Sequence, residues 1–86
     1  MYITFEKIRY ILYNKFSFHY DQIQLETKLE LELGIDSREM LEFFSELEKI
    51  FKIDISLDEI DSLIENNTFL TIRDIVWYLE TKISIS

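Results

Sequence analysis

Ser37 follows the only glycine of the chain, Gly34, by three residues, with Asp36 before it and Glu39 two positions after. Asp followed three residues later by Glu, ahead of an apolar run, marks a helix start. Each carboxylate then accepts a hydrogen bond from the other residue's otherwise unpaired backbone N–H. A hydroxyl in that first turn sits at the positive end of the helix dipole, where an attached anion is stabilised by about 0.3–1 kcal/mol. The position suits a phosphodiester. Taken alone, the pair more often merely opens a helix.

Other chemistries are excluded by what the chain lacks. Without Cys there is no thiolate catalysis, no Cys/His zinc site and no disulfide framework. One glycine cannot build a phosphate-cradling loop. His19, the sole histidine, lies between Phe18 and Tyr20 with no nucleophile placed beside it, and reads as a surface or packing residue. Asp54, Ser56, Asp58, Ser62 and Glu65 imitate a calcium loop, but Glu59 stands where its sharp turn needs glycine. No metal site is expected. The net charge of −8 lies wholly beyond residue 16, since Lys7, Arg9 and Lys15 outnumber Glu6 before it. Such a surface repels nucleic acid and suits partners with basic docking surfaces. No run approaches the roughly 18 apolar residues of a membrane span, and a soluble, cytoplasmic protein is expected.

The elements that position Ser37 follow from periodicity and caps. In 86 residues, 48% of them apolar, a single domain spanning residues 1–86 with one thin core is expected. Phe5, Ile8, Ile11, Leu12 and Phe16 recur at helical spacing and predict a first helix over residues 4–16, with Glu6, Lys7, Arg9 and Asn14 outward. From Ser17 to Leu33 the signal weakens. Leu29, Leu31 and Leu33 alternate as a strand would, but no second strand of like quality exists to pair with them. A long loop whose leucines tuck onto helices is therefore expected.

The Asp36–Glu39 box opens a second helix over Ser37–Phe51, with Leu41, Phe44, Leu47 and Phe51 as its core stripe. Ser56 with Glu59 opens a short third helix through Leu57, Ile60, Leu63 and Ile64, ended by Asn66-Asn67-Thr68. Thr71 with Asp74 opens the last, striped by Ile72, Ile75, Val76, Leu79 and Ile83. The fold class is all-α, a small four-helix bundle.

Leu33-Gly34-Ile35-Asp36-Ser37, then Leu41-Glu42, Leu47-Glu48, Phe51, Ile55 and Asp58-Glu59, resembles the acyl carrier protein family. Thr71-Ile72 and Tyr78-Leu79 extend the likeness over nearly the whole chain. The resemblance implies the acyl-carrier type of bundle. It implies that Ser37 receives a 4′-phosphopantetheine arm from coenzyme A, transferred by a magnesium-using phosphopantetheinyl transferase, and that Asp36 caps the helix and presents Ser37 to that enzyme. The arm's thiol would hold an acyl or aminoacyl group as a thioester. An acyl- or aminoacyl-loading ligase and a downstream synthase or transferase follow as further partners of a monomeric carrier that is not itself an enzyme.

Glu39, Glu42 and Glu46 form a stripe that is either a docking face or an ordinary solvated one. By resemblance this face, with Arg38 and Met40, meets Lys and Arg patches on partners. Arg38, Ser45 and Ser56 depart from the fatty-acid members of the family, and the extra residues between Ile60 and Thr71 are similar to aminoacyl, D-alanyl or secondary-metabolism carriers. Phe43, Phe44, Phe51, Phe69 and Trp77 are large enough to fill an acyl cavity, which points to a short or polar cargo. Strong thermal stabilisation by a loaded long acyl chain would contradict that expectation. The rival reading is an unmodified helical module that offers its acidic helix to a basic partner.

Overall fold

The computed structural model describes residues 2–65 and 70–85. Among them are four α-helices: α1 (Tyr2–Phe16), α2 (Ser37–Phe51), α3 (Leu57–Ile64) and α4 (Ile72–Ile85). The expected end of α3 at Asn66-Asn67-Thr68, and Phe69, lie outside the described residues. α2 has the predicted bounds, and α1 starts two residues earlier than its apolar spacing indicates.

Both long helices before the third end without glycine. Ser17 (φ 64°) and Lys52 (φ 56°) take the left-handed conformation that reverses the chain. In the next residue of each, an N–H reaches back to a carbonyl of the last turn: Phe18 to Leu12 at 3.2 Å and Ile53 to Glu48 at 3.2 Å. This backward bond satisfies a helix-end carbonyl, and glycine would make it with less strain.

α1 packs against α2 and α4. Ile8, Ile11 and Leu12 meet Phe43, Phe44 and Leu47 of α2 and Ile72, Ile75, Val76 and Leu79 of α4 in one buried cluster. Phe43 stands edge-on to both Phe16 and Phe44, at centroid distances of 6.4 and 5.8 Å, an arrangement that suits the ring quadrupoles. The core face of α2 is Met40, Phe43, Phe44 and Leu47. Leu41, expected in that stripe, is 43% exposed because it lies about a quarter-turn away from the line joining them. Trp77 is 71% exposed on the far side of α4, so it fills no interior space. Phe51 is half-buried. α3 contributes one buried residue, Ile60.

The segment from 17 to 33 holds more structure than expected. A 3₁₀ turn spans Tyr20–Gln22, and Lys28 bridges Thr71 in the antiparallel sense. Its carbonyls serve α4: Ile72 donates to Thr27 O at 3.0 Å and Arg73 to Leu25 O at 2.9 Å, giving partners to two orphan N–H groups of that helix's first turn. Leu29 is buried and Leu33 half-buried, but Leu31 is exposed, so two of the three leucines tuck in. Arg9, expected outward, is instead drawn between the rings of Phe5 and Tyr20, each 5.1 Å away. Its guanidinium donates to Tyr20 O at 2.8 Å and to Glu6 at 3.0 Å, which ties the turn to α1.

Candidate functional site

The approach to α2 is fixed from both sides of Asp36. Gly34 has φ 69°, and its N–H donates to Glu30 O at 3.0 Å. Nothing lies within 4 Å of where its Cβ would be, so the backbone conformation, not crowding, calls for glycine here. Ile35 then plunges inward, nearly fully buried, while its N–H donates to Leu29 O at 3.1 Å. Ile35 and Met40 occupy the positions just before the cap and four residues into the helix, where an apolar pair fixes the chain's entry angle.

Asp36 caps α2 as expected. Its Oδ1 accepts from Glu39 N–H at 2.8 Å, and Glu39 Oε1 accepts from Asp36 N–H at 3.2 Å. Ser37 is the first helical residue and is exposed. It opens onto a cavity of about 640 Å³. Its lining includes the apolar residues Ile35, Met40 and Ile64 and the acidic residues Glu30, Asp36, Asp61 and Glu65. α3 thus supplies the wall opposite the start of α2.

Residues 19–76 match the family described as "Phosphopantetheine attachment site". The acyl carrier protein of Phytoplasma australiense is 37% identical over 82 residues, covering 95% of this chain and all of that one. The acyl carrier protein of onion yellows phytoplasma is 38% identical over 77 residues, covering 90% of this chain and 93% of its own. That of Campylobacter hominis is 32% identical over 77 residues, or 90% of both chains. The chain belongs to the acyl carrier protein family.

This acyl carrier protein therefore holds its cargo on a covalently attached 4′-phosphopantetheine group and works with enzyme partners. The residues beside α2 fit such a group. A hydroxyl stands exposed in a helix first turn, whose N–H groups and dipole favour the negative charge of a phosphodiester, and a concavity opens next to it. No described helix is long and apolar enough to cross a membrane.

The remaining candidate residues divide. Arg38 and Glu42 are exposed on α2. Glu39 is half-buried and engaged in the cap, and Glu46 approaches Lys49 at 3.4 Å. Within the stripe, Glu39 is drawn into the helix start and Glu46 has a lysine beside it. Met40 does not belong to an outer face: it is 4% exposed, turned inward onto the cavity wall by its place in the helix turn. Ser56 caps α3, its Oγ accepting from Glu59 N–H at 3.1 Å, and Glu59 returns the bond to Ser56 N–H at 3.0 Å. The calcium-like spacing therefore spans a helix start, and no cluster of three metal-ligating side chains occurs among the described residues. His19 is exposed beside the 3₁₀ turn, its backbone N–H donating to Gln22 Oε1 at 2.9 Å.

Sequence reasoning missed Ile35, Ile64, Asp61 and Glu65 as site residues. The apolar pair flanking the cap was legible at Ile35 and Met40, but nothing local announces that α3 faces Ser37.

Proposed function

We propose that Ser37 is the serine that bears the 4′-phosphopantetheine arm, that Asp36 positions it, and that the chain is a single carrier domain over residues 1–86. The observation that carries this reading is the exposed Ser37 in the capped first turn of α2, at the edge of the cavity between α2 and α3. Serine at this point leaves its oxygen within reach of an incoming enzyme while Asp36 holds the helix start in place. The bound arm supplies a thiol, which this chain lacks, for carrying acyl or aminoacyl groups as thioesters.

The carrier performs no catalysis of its own, and a phosphopantetheinyl transferase, a loading ligase and a downstream synthase or transferase act on it in the cytoplasm as a monomer. Arg38, Glu39, Glu42 and Glu46 are the proposed docking residues. Arg38 and Glu42, both exposed, make the first contacts, and Met40 supports them from within.

Incubation with coenzyme A, magnesium and a broad-specificity phosphopantetheinyl transferase, followed by intact mass measurement, tests the assignment. Wild type is expected to gain one arm and Ser37→Ala none. An unmodified wild type removes the reading, and an arm on Ser37→Ala shows that another serine carries it.

A further inference from the structure

α3 is the helix least secured by burial, with Ile60 alone in the core and its remaining apolar residues half-buried or exposed. It is nevertheless one wall of the cavity beside Ser37. It is also tied to the bundle through polar side chains. Lys82 Nζ of α4 donates to both carboxylate oxygens of Glu59, at 2.7 and 2.8 Å, and the Tyr78 hydroxyl donates to Glu59 Oε2 at 3.0 Å. Glu59 also accepts from Ser56 N–H, so one carboxylate closes the helix start and clamps it to α4. The tie holds one end of α3, while Asp61, Ile64 and Glu65 nearer the other end face the cavity.

We infer that Glu59, Tyr78 and Lys82 are positioning residues of the carrier: together they hold α3 as the wall against which the arm on Ser37 is sheltered. This inference rests on Ser37 as the attachment site for its consequence, but not for its mechanics. Releasing the clamp lets α3 swing from α4, widens the cavity and brings the arm into water. Glutamine at position 59 keeps the helix-start box, because its side-chain oxygen still accepts from Ser56 N–H, but loses the charge that Lys82 holds. Lys82→Met removes the same contact from the other side and leaves the box untouched.

Hydrogen exchange on the apo protein reads the clamp. Glu59→Gln and Lys82→Met should each speed exchange of the Ile60–Ile64 amides by about fivefold, the double variant should add little, and α1 and α2 amides should be unmoved. Lys49→Gln, which removes the Glu46 contact on the α2 surface, should leave α3 exchange unchanged. Loading with coenzyme A that carries a solvatochromic dye on its thiol then reads the arm. The wild-type emission should lie to the blue of free dye-coenzyme A, and both variants should shift towards it. Unchanged α3 exchange in both single variants overturns the clamp, and unchanged emission overturns the sheltering. A wild type that takes up no dye counts against Ser37, and the exchange result then decides the clamp alone.

Discussion

Asp36 is the residue whose two roles can be separated by one pair of substitutions. In Asp36→Ala the Glu39 N–H loses its 2.8 Å acceptor, and Glu39 loses the geometry that lets it reach back to the residue 36 N–H. Removal of such a cap costs about 1 kcal/mol, which for a domain of roughly this size lowers Tm by about 4–8 °C. The loss should not exceed that by much, because Ile35 and Met40 still pin the helix entry from inside. Asp36→Asn keeps an oxygen for the Glu39 N–H and removes only the charge, so its melting should stay within a degree or two of wild type. Circular dichroism melts of the apo proteins give the stability arm. Arm transfer by the transferase, followed by mass, gives the functional one. Asp36→Asn should be modified far more slowly than wild type despite its intact cap. A melt of Asp36→Ala indistinguishable from wild type would refute the capping argument. Wild-type modification of Asp36→Asn would show that the carboxylate does nothing beyond holding the helix.

The positive-φ residues give a second pair with opposite signs. Lys52→Gly should stabilise by about 0.5–1 kcal/mol by relieving left-handed strain at the end of α2, and Gly34→Ala should destabilise by about 1 kcal/mol, both measured by urea unfolding. Equal effects of one sign would be inconsistent with the backbone argument. pH dependence tests the α3–α4 tie. Lys82, then the Ser56 N–H and the Tyr78 hydroxyl, hold the Glu59 carboxyl below its ordinary 4.5, while bonding to Glu59 raises Lys82 above 10.5. Glu59's contribution is therefore present above about pH 4.5 and fades as pH falls through its lowered folded value; that of Lys82 persists below 10.5 and fades as pH rises through its raised one. The stability difference between wild type and Glu59→Gln should be level near neutrality and shrink as pH falls below about 4.5, and a difference that grows on acidification would reverse the assignment.

The local signals proved strongest where a few neighbouring residues settle the outcome. The boxes at Asp36–Glu39, Ser56–Glu59 and Thr71–Asp74 all close with both bonds formed. Each needs only a side chain to reach a backbone N–H three residues away, so tertiary context has little to change. The four-helix order and the placement of Ser37 in a first turn follow from those boxes and the apolar spacing. Periodicity was weaker at choosing between adjacent residues. It put Leu41 in the core of α2 where Met40 and Phe43 lie, because the direction of a helix's apolar face is set by what it packs against; size alone suggested Trp77 as a filler, although the apolar stripe of the last helix does not include it.

By itself, the sequence determined the four helices, the capped starts of α2, α3 and α4 and the hydroxyl that makes the chain resemble a carrier, since these depend on contacts within a turn or two. Only the tertiary structure decided what surrounds that hydroxyl. Asp61 and Ile64 of α3, with Glu65 just after it, line the cavity beside Ser37, and Glu59 reaches Lys82 across 23 positions of chain. The carbonyls of Leu25 and Thr27 close the start of α4 from a segment with no regular pattern of its own. Backbone groups and long side chains find such partners only after the helices have packed, and no local residue spacing encodes which partner will be nearest.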